Sequence, residues 1–263
     1  MVIVSVSIRA ICERKMKKRK PIQGVSNIIR FNYHFYLIAF VIFVVLFLFK
    51  NQFPTQIRTL LNIGIVVAIF TLLISLLVSF YVYDLSDLYQ LKWIEKADNK
   101  KNLNINAGFD ETSEIIISKF PQADLIICDF YNPDKHTEIS IKRARQAYPP
   151  NPKTISVVTD KLPFSENAFD NSFAILSAHE IRNENERVQF FKELNRVTKG
   201  QIFVTEHLRD FNNFMAYAIG VFHFHSRQSW LQTFKQADLT LIQEIKTTPF
   251  ITTFVLEKNG NTP

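Results

Sequence analysis

The residues able to do chemistry in this 263-residue chain stand where short apolar runs end. Asp129 terminates ADLIICDF apart from one phenylalanine, Asp160 ends TISVVTD, and Glu206 with His207 follow QIFVT. Between them, Ser177-Ala178-His179-Glu180-Ile181-Arg182 breaks a long apolar stretch. A carboxylate at such a junction can grip hydroxyl groups, and a histidine has an unperturbed pKa near neutrality, which suits proton transfer. His179 is therefore the candidate general base, with Glu180 or Glu206 to orient it. The alternative for this histidine is a helix cap or a half-buried structural side chain.

These junctions need a scaffold that brings them together. From Asn102 onward, apolar segments of strand length (LNINA, ADLIICDF, TISVVTD, FDNSFAILS, QIFVTE) are separated by helical patterns such as ETSEIIISKF and ENERVQFFKELNRV. That alternation predicts right-handed crossovers and a doubly wound, mainly parallel Rossmann-like α/β sheet. The last two segments, LTLIQEI and FITTFVLEK, are joined by a turn at Thr247 to Pro249 and predict an antiparallel edge strand. In such sheets ligands bind beyond the carboxyl ends of the strands, where strand order reverses. The turn after the first strand, Asn106-Ala107-Gly108-Phe109-Asp110, leads into a helix expected near Glu111, whose acids can also serve simply as caps of that helix.

Residues 102–258 resemble the class I S-adenosylmethionine-dependent methyltransferase family, most specifically in TDKLPFSENAFDNSFAILSAHEI and FFKELNRVTKGQIFVTEH. The resemblance implies S-adenosylmethionine as cofactor. It implies Asp129 at the ribose hydroxyls, Asp160 on the adenine side, and Asn106, Gly108, Asp110, Lys161 and Leu162 as the rest of the cofactor-binding set. The turn departs from the family's three-glycine pattern, since only Gly108 remains. A nicotinamide-dependent oxidoreductase shares the sheet but needs a glycine fingerprint and a Tyr/Lys pair that the sequence lacks.

Two apolar runs, Tyr33 to Phe49 and Leu60 to Val82, precede this domain. A bilayer span needs about 20 predominantly apolar residues, and the short connection around Pro54 makes the two an antiparallel hairpin. Eight basic residues and one acid lie before Tyr33, whereas the connection carries only Lys50 and Arg58. The excess of positive charge predicts both ends in the cytoplasm, hence a multi-pass protein of the cytoplasmic membrane. From Asp84 on there are 21 Lys+Arg and 23 Asp+Glu, so the formal charge of +7 resides in the amino-terminal arm, as expected for contact with anionic lipid rather than nucleic acid. The order of apolar and basic residues in that arm is the reverse of a secretory signal peptide, and Met16 is an alternative start.

The expected organisation is a basic arm (1–32), a transmembrane hairpin (33–83), a juxtamembrane helix and linker (84–101) and a methyltransferase-like domain (102–263). Cys12 and Cys128 are too far apart in sequence to suggest a disulfide framework. No metal is expected: His179-Glu180 lacks the second histidine of a zinc-protease helix, Asn183 standing there, and His223 and His225 have no neighbouring ligand in sequence. The apolar insertion Phe211 to His225 is read as a lid or an interfacial segment, core packing being the alternative. Together these features predict a membrane-anchored methyltransferase for a hydrophobic or lipid-like small molecule, the alternative being a non-catalytic binding or assembly module of the same fold.

Overall fold

The computed structural model describes residues 19–95, 97–136 and 138–260. Most of the basic arm, with Cys12 and Met16, lies outside these residues. Two long helices come first, α1 (Gln23–Phe49) and α2 (Thr55–Phe80). Both are long and apolar enough to cross a membrane, and side chains such as Phe40, Leu48, Leu60 and Val66 are more than half exposed on them. Helix α1 begins ten residues before the expected span, so the end of the predicted arm is helical.

A continuous helix was expected after the second span, and it is absent. A π-helical turn over Tyr81–Leu85 leads to extended Ser86 and a single 3-10 turn at Leu88–Gln90, after which Leu91 takes a left-handed backbone (φ 48°). The break has a packing cause. Leu88 buries against Val82 and Ile251, while Leu91, Trp93, Ile94 and Ala97 bury against Phe173, Phe203 and Val255 of the sheet, which one straight helix could not achieve.

The sheet has seven strands: β1 (Lys101–Asn106), β2 (Asp124–Asp129), β3 (Ile155–Ser156), β4 (Phe169–Ile175), β5 (Thr198–His207), β6 (Leu239–Thr248) and β7 (Ile251–Lys258), in the order β3-β2-β1-β4-β5-β7-β6. All pairs from β3 to β5 are parallel, and β7 runs antiparallel to both β5 and β6. This is the doubly wound, mainly parallel sheet with an antiparallel edge that the sequence predicts. Helices α3 (Ser113–Lys119), α4 (Ile139–Ala147), α5 (Glu184–Val197), α6 (Phe211–Tyr217) and α7 (Arg227–Gln236) supply the connections and the edge cover. Helix α5 shows why the pattern was readable: Val188, Phe191 and Leu194 recur at helical spacing and bury against the sheet, and Asn183 caps its first turn by accepting from Glu186 N–H. Strand order reverses between β1 and β4, so the crevice for a ligand opens there.

Candidate functional site

A cavity of about 300 Å³ lies at that reversal. Phe109 and Glu111 after β1, Ile175 with His179 and Glu180 after β4, and His207 at the end of β5 form its base. Gly24, Ile28 and Phe31 of α1, together with Tyr83 beyond α2, form its other wall. Helix α1 and the segment just beyond α2 are thus joined to the site itself.

The join is made by polar contacts. Glu111 accepts from Arg19 Nη1 (2.8 Å) and from Tyr89 Oη (2.7 Å), and Asp84 accepts from Gly24 N–H (2.7 Å) and Val25 N–H (2.9 Å) at the start of α1. Gly24 is required by this approach, because a Cβ on it would stand 2.3 Å from Tyr83 Cβ. His207 Nε2 lies 2.7 Å from the Tyr83 hydroxyl, and its Nδ1 lies 3.0 Å from Asn213 Oδ1. Burial drives its pKa down to about 4.

His179, Glu180 and Glu206, the expected catalytic group, do come together. Glu206 is wholly buried at the end of β5, where it accepts from Ser177 N–H (3.1 Å), His179 N–H (3.2 Å) and His179 Nδ1 (2.6 Å). His179 Nε2 lies 3.3 Å from Glu180 Oε1. Burial alone would lower the His179 pKa, but Glu206 and Glu180 outweigh it and raise the value to about 10. Burial likewise opposes ionisation of Glu180, yet its bonds to His179 and His223 hold its carboxyl well below the usual range. The two carboxylates thus favour the protonated form of His179.

The cofactor-binding residues implied by the resemblance are more dispersed. Asn106 is buried and bonds locally, its Nδ2 to Cys128 O (3.0 Å) and its Oδ1 to Gly108 N–H (3.0 Å). Asp110 Oδ1 accepts from Thr112 N–H (3.0 Å) and Ser113 N–H (2.9 Å), capping α3. Asp160 and Lys161 are exposed, and Asp160 lines a second cavity, of about 630 Å³, after β2 and β3, which also holds Tyr131, His136 and Glu186. Leu162 is a core residue whose N–H donates to Glu193 Oε2 (2.7 Å). Asp129 is buried, with one oxygen accepting from Tyr131 N–H (2.8 Å) and the other paired with the Arg145 guanidinium of α4.

Arg145 decides whether an adenosine moiety fits this arrangement. Gly108 has the left-handed backbone (φ 98°) that suits a ligand-cradling turn, but a Cβ there would meet Arg145 Nη1 at 2.9 Å and Tyr131 at 3.0 Å. The space over the turn is filled by protein, and both Asp129 oxygens are engaged. As arranged, these residues do not fit a ribose unless Arg145 moves. Arg145, Glu111, Glu138 and Tyr83 were not singled out for the site from sequence. Only Glu111, in the turn after β1, gave a local signal.

Comparison with known families agrees with the central part of the sheet. The family model described as "Methyltransferase domain" matches residues 123–205, which run from β2 to the end of β5. Among solved structures, similar chains include an S-adenosylmethionine-dependent methyltransferase from Aquifex aeolicus (13% identity, 65% of this chain and 89% of that chain, TM-score 0.47) and the PH0226 protein from Pyrococcus horikoshii (17%, 64% and 85%, TM-score 0.47). Another is an S-adenosylmethionine-dependent methyltransferase from Clostridium acetobutylicum (11%, 66% and 90%, TM-score 0.47). Comparison with curated proteins gives no match. Residues 123–205 thus match a methyltransferase-domain model, in agreement with the class I S-adenosylmethionine-dependent family that the strand-end residues resemble.

Proposed function

We propose that this protein is a membrane-anchored methyltransferase that uses S-adenosylmethionine and acts, at the cytoplasmic face, on a hydrophobic or lipid-like small molecule. The observation that carries the reading is the lining of the cavity at the β1/β4 reversal, most of it from the α/β domain and the rest from helix α1 with Tyr83 and Tyr89 just beyond α2. An acceptor dissolved in the bilayer reaches such a cavity without crossing water. The insertion between β5 and α7 supports the same reading: Phe211, Ile219 and Phe222 are each more than two thirds exposed, and α6 packs beside α2. The basic arm supports the cytoplasmic orientation.

The cofactor, when bound, supplies a methyl group on a sulfonium sulfur. The chain's own residues hold and shield the acceptor: Phe31, Phe109 and Phe224 exclude water, and Glu111, His179 and Glu180 offer polar contacts to its head. In the absence of a bound ion, His179, held protonated by Glu206 and Glu180, donates a hydrogen bond to the acceptor. The test uses the full chain in detergent with S-adenosylmethionine labelled in its methyl group and a lipid extract of the native membrane. Label appearing in the organic phase supports the reading. Label confined to water-soluble products, with the protein folded, contradicts the hydrophobic acceptor.

A second reading rests on the Asp129–Arg145 pair. A non-catalytic module of the same fold has no need of a free ribose carboxylate, and the closed corner is what such a module would retain. Failure to bind cofactor in any form is the outcome that favours it.

A further inference from the structure

His179, Glu180 and His223 meet inside the cavity although 44 residues separate the two histidines, and their nitrogen and oxygen atoms lie within 4.8 Å of one another. Each histidine is held from behind by a carboxylate. Glu206 Oε2 engages His179 Nδ1 at 2.6 Å, and Glu138 Oε1 lies 3.3 Å from His223 Nδ1. Both Nε2 atoms therefore face forward, 3.3 Å (His179) and 3.6 Å (His223) from Glu180 Oε1. For a tetrahedral zinc site with ligand bonds of about 2.1 Å, the ligand-to-ligand edge is about 3.4 Å. A carboxylate behind each ligating imidazole is also the usual outer arrangement of such sites, since it fixes the tautomer and the ring direction.

From this geometry we propose that His179 Nε2, Glu180 Oε1 and His223 Nε2 bind a divalent first-row transition ion, with zinc as the natural occupant and the fourth position open to the cavity. The charge setting agrees: Glu138, Glu180 and Glu206 converge on two imidazoles, and carboxylates that hold an imidazolium also hold a divalent ion in its place. Against them stands Arg182, which donates to the His223 carbonyl and whose Nη2 stands against both ring nitrogens of His223, Nδ1 and, at 2.8 Å, Nε2. It is partly exposed and must swing aside when the ion binds. The ion site does not depend on the cofactor. Its use, to ligate a hydroxyl or similar head group of the acceptor and make it more acidic, rests on the methyltransferase reading.

The test is metal content and cobalt spectroscopy on untagged full-length protein in detergent, first stripped with chelator and checked for a cooperative thermal transition. About one equivalent of Zn²⁺ or Co²⁺ per chain is expected, with the intense visible bands of four- or five-coordinate cobalt. Affinity should fall at least about 100-fold in His223→Ala and in Glu180→Gln, fall about 10- to 100-fold in Glu206→Gln, and hold or rise in Arg182→Ala. No retained ion in the wild type, or equal retention in His223→Ala and Glu180→Gln, overturns the proposal. Should His179→Ala fail to fold, His223→Ala and Glu180→Gln still decide. S-adenosylhomocysteine binding by the stripped protein separates failure of the metal site from failure of the methyltransferase reading.

Discussion

Glu206 and His207 are adjacent on β5, yet their environments drive histidine protonation in opposite directions. Glu206 holds His179 as a cation, whereas His207 is buried neutral between Tyr83 and Asn213. Removing one member of a buried ion pair typically costs about 3–5 kcal/mol, because the partner charge is left uncompensated. Glu206→Ala should therefore lower stability by about 3 kcal/mol. Glu206→Gln, which keeps an acceptor for the Ser177 and His179 amides, should cost less, and chemical denaturation of the full chain measures both. His207 has a folded pKa of about 4, below the 6.5 of the free side chain. Its contribution is fully present above pH 6.5 and is lost as pH falls toward 4, when the unfolded chain gains a proton that the folded chain refuses. The shift corresponds to about 3 kcal/mol at the limit. Thermal unfolding should thus weaken from pH 6.5 to 4, with His225, lowered to about 3 by burial beside Arg187, adding to the trend. His207→Gln should flatten part of that dependence, and an unchanged pH profile in this variant would count against the assignment.

At the scale of elements, α1 illustrates what tertiary contact supplies. Its preceding residue, Ile22, is left-handed (φ 56°) and offers no capping side chain, so Asp84 from beyond α2 accepts from the first amides instead. Asp84→Ala should cost about 1 kcal/mol, the usual value of a lost helix cap, and should speed proteolysis near Lys20. The strands and α5 were legible because burial imposes a period on residue type, as in Val188, Phe191 and Leu194. The early start of α1 was not, since Gln23 to Asn32 mixes polar and apolar residues and is stabilised by Asp84, some 60 positions away. The expected cofactor set was legible only as strand ends. Whether Asp129 faces a ligand depends on Arg145, and whether Leu162 faces one depends on the core around Phe169, and neither relation has a local signature. The His179–His223 pairing was hidden for the same reason, with the insertion folding back over β4.

Taken whole, the molecule joins two apolar helices to an α/β domain, so on the proposed membrane reading its orientation in the bilayer fixes where the chemistry happens. A cysteine at Asn51, in the turn between α1 and α2, should be labelled by an impermeant reagent added outside intact cells. One at exposed Lys153 should be labelled only after the membrane is opened; the reverse pattern would invert the proposed topology. Native Cys128 cannot serve as the inner marker, because it is fully buried and its thiol is pushed up to about 12.

Calorimetric titration of the full chain in detergent with S-adenosylhomocysteine tests the central claim most directly, with Asp129→Ala and Arg145→Ala alongside. The account predicts saturable 1:1 binding, weakened at least about 10-fold by Asp129→Ala and strengthened by Arg145→Ala as the ribose corner opens. Absence of heat up to millimolar ligand in both the folded wild type and Arg145→Ala would contradict it.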